Sequence, residues 1–300
     1  MNRVAQQPVK AFAVTLAAVA SLSIMDGVMK HLVIAIGIVA VTVWRSFVNL
    51  GFASALYLPR RLPWPSRATL KIHVSRGIVV TAMAFLFFWG LGRVPLAQAI
   101  ALTFIAPLIA LLLAAMFLGE EIGSRSIAGS AAAFAGVLVI VFGQARAQLG
   151  PGVLLGSVAI IGSALCYAVN IVMLRWQALA ARPLEINFFQ SLTVMLLWLA
   201  ALPFVGIPAS PGWQWLWIVV AAALSTFGNL LYSWAYARGE ASYLSVTEYS
   251  AFLWASAIGW LMFHENVSIY TIAGALLIVG GCLTAVRRKV REPPEIEVAA

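Results

Sequence analysis

Glu248 and Arg45 are the side chains whose placement most suggests chemistry, because each interrupts a long apolar run in a chain where only 10% of residues are charged. Leaving such a charge in hydrocarbon costs about 2.5–3.5 kcal/mol even on lenient scales, so it pairs, exchanges a proton or faces a water-filled cavity. Glu248 is therefore a candidate proton acceptor or cargo ligand, with a structural ion pair as the plain alternative. The Arg45 guanidinium can pair with Glu248 or Asp26, or clamp a substrate carboxylate through two parallel N–H bonds. Asp26 precedes Lys30 by four residues, so the two can share a helix face and pair locally; Asp26 can also present its carboxylate at a cavity mouth. Arg76 is expected to anchor the inner end of its helix.

Neutral side chains add to this set. Tyr249, next to Glu248, is a candidate for contact with aromatic cargo, while Trp89, Trp234 and the other tyrosines suit the membrane interface. Asn170, Asn187, Gln190 and Asn229 are amides that can bind cargo or join helices by hydrogen bonds. Pro107 has no N–H for the carbonyl of Thr103, which predicts a kink, a free acceptor and a hinge, and the Thr103 side chain is itself a candidate for contact with cargo or an ion in a common cavity with Glu248. Glu120 and Glu265 are each expected to cap the helix that follows, since a carboxylate near a helix start meets exposed N–H groups.

These residues are carried by ten apolar stretches, at 11–30, 33–57, 74–92, 96–118, 125–143, 151–174, 186–206, 213–236, 241–263 and 268–286. About 20 apolar residues span a bilayer, and with 63% hydrophobic residues in 300 the chain is an all-α integral membrane protein with little left for an outer domain. The first stretch is expected to remain in the mature chain, because Asp26 and Lys30 follow its apolar part without a small-residue cleavage site and another span begins almost at once. Of nineteen Lys and Arg, Lys30, Arg93 and Arg146 fall opposite the termini, and Arg45 and Arg76 lie in or near helices. The other fourteen lie on the side of the termini, which places both in the cytoplasm. The net charge of +9 is thus a signal of topology and of contact with lipid headgroups, and nucleic acid is not an expected partner.

A shift of 145 residues superposes Trp89 on Trp234, Glu120 on Glu265, Gly129 on Gly274 and Lys30 on Arg175. The chain therefore reads as two five-helix repeats, 11–143 and 151–286, between cytoplasmic tails at 1–10 and 287–300. Five is odd, so the second copy enters the membrane from the opposite side. Secondary transporters use such inverted repeats to build a site between the halves.

Pro95-Leu96-Ala97-Gln98-Ala99-Ile100, followed by Ile105-Ala106-Pro107-Leu108 and Phe117-Leu118-Gly119-Glu120-Glu121, resembles the EamA-type branch of the drug/metabolite transporter superfamily. The second half keeps Glu265 but has Phe252 where the first has Pro107. The resemblance implies that spans one to four and six to nine surround a central cavity, with five and ten at the periphery, and it favours Gln190 and Asn229 as lining residues. It also implies a carrier of amino-acid-like, vitamin-like or amphipathic compounds working by alternating access, with efflux ahead of uptake or exchange.

The expected partners are a small organic substrate, membrane lipids and a coupled proton or counter-substrate, in a bacterial-type inner membrane. No cofactor or metal site is expected, and no GxxxxGK[ST] loop indicates an ATP motor. His31, His73 and His264 are dispersed without HExxH spacing, so an intramembrane enzyme is not expected. A structural or sensory protein without flux remains the other class. Oligomeric state has no signature here.

Overall fold

The computed structural model describes residues 6–61, 64–106, 109, 124–146, 151–236, 247 and 250–286. Among these residues there are ten α-helices and no strand. In chain order they are α1 (Gln6–Ile36), α2 (Ile38–Tyr57), α3 (Arg67–Leu91), α4 (Leu96–Thr103), α5 (Ser124–Arg146), α6 (Pro151–Ala180), α7 (Pro183–Val205), α8 (Trp215–Tyr236), α9 (Ala251–Phe263) and α10 (Ile269–Val286). Each falls on one of the ten apolar stretches. Six are long and apolar enough by themselves to cross a membrane, and Phe134–Gly143, Ala251–Phe263 and Ile269–Gly281 are shorter apolar segments. Large apolar side chains face outward, as Phe204 and Leu253 do at 88% and 70% exposure, which suits a surface bathed in lipid.

Two helix boundaries depart from the expected ones, with consequences for the site. α1 runs through Lys30 and His31 to Ile36 and stops at Gly37, whose φ of 79° an L side chain rarely adopts. Polar residues did not end this helix, because Lys30 finds partners elsewhere in the bundle. α3 starts at Arg67, seven residues before the expected position, because the Ser66 hydroxyl accepts the N–H of Thr69 at 3.2 Å and caps the first turn. That extension puts Arg76 well inside the helix.

The halves are interleaved. α5 lies along α10 with Gly136 against Gly274 and Gly143 against Tyr270, so the two helices run antiparallel. The end of α2 meets the beginning of α7, where Tyr57 stacks on Phe188 at 4.8 Å, and Trp44 near the start of α2 donates to the carbonyl of Ala209 beyond the end of α7. In both pairs a helix packs antiparallel to its own copy, which is the arrangement of an inverted repeat. The remaining major contacts exchange under the same register. Gly90 of α3 meets Gly156 of α6, and their counterparts Ala235 of α8 and Ala11 of α1 are packed together and fully buried. Small residues at these crossings let the backbones approach, which is how helices associate where lipid removes the hydrophobic drive.

Gly90 is the most constrained of these positions: a Cβ there would stand 2.5 Å from the Gly156 carbonyl oxygen and 2.6 Å from Ile160. Gly90→Ala should destabilise the protein by about 1–3 kcal/mol although alanine is the better helix former. Gly51→Ala, which meets nothing within 4 Å, should be neutral or stabilising. Equilibrium unfolding in detergent checks both, and equal effects at the two positions would refute close packing at Gly90.

Candidate functional site

A cavity of about 420 Å³ lies at the centre of the bundle. Its described lining comes from α1 to α4 and α6 to α9, with no residue of α5 or α10, the arrangement that the resemblance implies. Many lining residues occur in pairs 145 positions apart: Leu22 with Tyr167, Met25 with Asn170, Arg45 with Gln190, Ser46 with Ser191, Ala84 with Asn229, and Phe87 with Tyr232. The cavity thus sits where the two halves face each other across their pseudo-two-fold axis. The scaffold is symmetric but its chemistry is not. Among the described lining residues every charge comes from the first half, as Asp26, Arg45 and Arg76, while the second half supplies amides and hydroxyls.

Asp26, Arg45, Thr103, Gln190 and Asn229, five residues singled out from the sequence, all line this cavity. Asn170 and Asn187 join them. Glu248, Tyr249 and Pro107 lie outside the described residues, as does Glu120. The Thr103 hydroxyl donates to the carbonyl of Ile100 at 2.7 Å. Arg45 packs its guanidinium over the ring of Phe88 at 5.1 Å, and its buried Nε has no hydrogen-bond partner among the described residues. Asp26 and Arg45 are close enough for their charges to act on each other, without a contact inside ion-pair distance.

Arg76 departs most from expectation. It is not an anchor at a helix end: it is 7% exposed and lines the cavity. Its Nε donates to Asn170 Oδ1 at 2.8 Å and its Nη1 to Gln177 Oε1. The Gln177 amide is held in turn by Nδ1 of His73, and His73 Nε2 meets Glu185 Oε1 at 3.2 Å while its ring stacks on Phe189. This chain runs from the first turn of α7 through α3 and α6 to the cavity. The Ser66 cap was the available signal, since it shifts the start of α3 and hence the depth of Arg76.

Lys30 also departs from expectation. It does not pair with Asp26 on its own helix but forms an ion pair with Glu265, and its Nζ donates to the Val94 carbonyl at 2.6 Å. Glu265 was expected to cap the helix that follows it. Its Oε2 instead accepts the N–H of Leu96 at 2.7 Å, so it caps α4 of the other repeat. One lysine and one carboxylate thereby tie the end of α1, the start of α4 and the connection between α9 and α10. The backbone explains the choice, because Leu96 opens a helix behind a proline and its N–H has no partner within that helix. Among the described residues no group of three His, Cys, Asp or Glu could hold a metal ion.

Interleaved inverted repeats around a polar cavity at their common centre are the architecture of a membrane transporter. The chain belongs to the EamA-like transporter family, which it matches over residues 9–142 and 154–287. It is 27% identical over 231 residues, 75% of this chain and 78% of the relative, to the pseudopaline exporter CntI of Pseudomonas aeruginosa. It is 26% identical to a riboflavin transporter of Rhizobium johnstonii, with 82% and 81% of the two chains covered. A crystal structure at 21% identity shares the fold with a TM-score of 0.61, covering 94% of this chain and 99% of the other. The protein is a multi-pass membrane transporter of a small molecule and not an enzyme.

Removing one partner of a buried ion pair costs about 3–5 kcal/mol, since the other charge is left unpaired. Lys30→Met should therefore be strongly destabilising, whereas Lys30→Met with Glu265→Gln should recover most of the loss. A double-mutant cycle on unfolding midpoints measures the coupling, and additive effects would mean the two side chains do not depend on each other.

Proposed function

We propose that this transporter is a secondary carrier that exports a small organic metabolite by alternating access, from a bacterial cytoplasmic membrane with both termini inside. The observation that carries this is the cavity lined by residue pairs 145 positions apart. A site on the axis relating two inverted halves can be reached from either side by exchanging the conformations of those halves. Export is the assigned direction because CntI is named an exporter and because the resemblance favours efflux; uptake and exchange are the alternatives.

In this conformation Lys30, Glu265 and the capped start of α4 close the end opposite the termini, by the charge distribution given above. On the 145-residue register their counterparts are Arg175, Glu120 and the stretch beginning at Ala241. We assign that second set the same duty at the cytoplasmic end in the opposite conformation. On this assignment, opening one end is offset by closing the other. The free-energy difference between the two states stays small, as a carrier cycle requires. Pro107 is assigned as the hinge on the sequence alone, and Asp26, Arg45, Thr103, Gln190, Asn229 and Tyr249 are assigned to cargo. With no nucleotide loop in the sequence, the drive is the cargo gradient, a counter-substrate or a proton taken up at Glu248.

Purified protein in liposomes, tested by counterflow with a labelled metabolite panel under set pH gradients, measures the carrier activity directly. Protein-dependent counterflow is expected, with proton coupling read as a dependence on the pH gradient that Glu248→Gln removes. Absence of flux for every solute would overturn the carrier. The gate is tested separately by placing a single cysteine at Ser225, in a background without Cys166 and Cys282. An impermeant thiol reagent added opposite the termini should label Ser225→Cys about tenfold faster once Glu265→Gln weakens the lock, which corresponds to about 1.4 kcal/mol of population shift. Equal labelling with and without Glu265→Gln would sink the gate, and full transport by Pro107→Ala would sink the hinge.

A further inference from the structure

Arg76 and Arg45 share one property that their surroundings make consequential: among the described residues neither has a carboxylate within ion-pair distance, although both line the cavity. The described hydrogen-bond partners of Arg76 are the neutral amides of Asn170 and Gln177. Arg45 rests on the face of Phe88, and among the described residues it has no ion pair and no hydrogen bond at its buried Nε. Guanidinium groups stay charged, and buried charges in membrane helices are normally paired. The ordinary solution, a carboxylate in contact, is used by this same protein for Lys30. It is missing at both arginines among the described residues, although Asp26 lines the same cavity.

Resting on the carrier proposed above, we infer that Arg45 and Arg76 form an acid-binding site, so that the cargo is a small organic acid whose carboxylate completes the coordination of the two guanidinium groups. Arg76 is oriented for this by Asn170, which accepts from its Nε, and by the chain that runs from its Nη1 through Gln177 and His73 to Glu185; no described hydrogen bond uses Nη2. Asp26, of opposite sign in the same cavity, faces an ammonium or other donor on the same molecule, so amino-acid-like acids fit best. Two positive charges against one among the described lining also set the preferred cargo as neutral zwitterion or anion, and exclude simple cations. Gln177 and His73 act as positioning residues through Arg76.

The test uses sets of compounds that share a skeleton and differ only at the acid: L-phenylalanine with its carboxamide and phenethylamine, L-glutamate with L-glutamine, benzoate with benzamide. Thermal unfolding of the detergent-solubilised full chain reads binding, and competition in liposome counterflow reads transport. The acid of at least one set should raise the unfolding midpoint and bind about tenfold or more tighter than its amide, the scale of one charge-assisted contact. Arg45→Gln should erase this preference, Arg45→Lys should retain part of it, and Asp26→Asn should weaken amino acids more than benzoate. Arg76→Gln should act like Arg45→Gln; if it does not fold, Arg45→Gln decides alone, because its side chain has no described hydrogen bond to lose. Amides or amines that bind as well as the acids, no midpoint shift by any acid, or an acid preference that survives Arg45→Gln would each overturn the acid site. Flux carried equally by acids, amides and amines would overturn it while leaving the carrier intact. Acid-selective binding with no flux would do the reverse.

Discussion

Hydrocarbon offers no partner to a polar group, so every charge and every helix start inside this bundle must be satisfied by protein or by a water-filled cavity. Here an important part of that condition is met across the repeats. Glu265 belongs to the second half, yet it caps α4 of the first and neutralises Lys30 of the first. Ser21 donates to the Leu224 carbonyl and Ser163 to that of Met83, again between halves. Each half is therefore incomplete alone, and the interface that completes it is the surface along which the halves must shift if access alternates.

The same constraint shapes the packing between helices. The crossings of α3 with α6 and α1 with α8 bring small residues together, Gly90 with Gly156 and Ala11 with Ala235, and side-chain bonds span the same helix pairs, from Ser163 to Met83 and from Ser21 to Leu224. The described carboxylate contacts lie towards the ends of the bundle, Lys30 with Glu265 at one and His73 with Glu185 towards the other. The cavity lies between these two sets of contacts.

Symmetry of backbone and asymmetry of chemistry are both needed. Paired positions such as Arg45 with Gln190 and Met25 with Asn170 keep the cavity centred, because the helices carrying them are copies. A cargo has no two-fold axis, and binding it in one orientation calls for different groups on the two sides. Divergence after duplication left the described charges on one half only, while neutral hydrogen-bonding groups line the cavity from both.

Helices, repeat and inversion were legible in the sequence because they depend on local quantities: the length of apolar runs, the odd number of spans and the register of Trp89, Glu120 and Lys30 with their copies. Asp26, Arg45, Thr103, Gln190 and Asn229 were legible for a related reason, since a polar side chain deep in an apolar run has few places to go but a cavity. Arg76 was not, because its depth depends on a hydroxyl cap at Ser66 that moves the helix start. The partner of Lys30 was not either, because four residues of separation made Asp26 the obvious choice while the true partner lies 235 residues away. Sequence by itself determined that the chain is a helical membrane protein and that its halves are inverted copies. Only the tertiary structure decided which charges are already paired and which stand open to the cavity, because pairing is a property of contacts between helices, and no spacing along one helix encodes it.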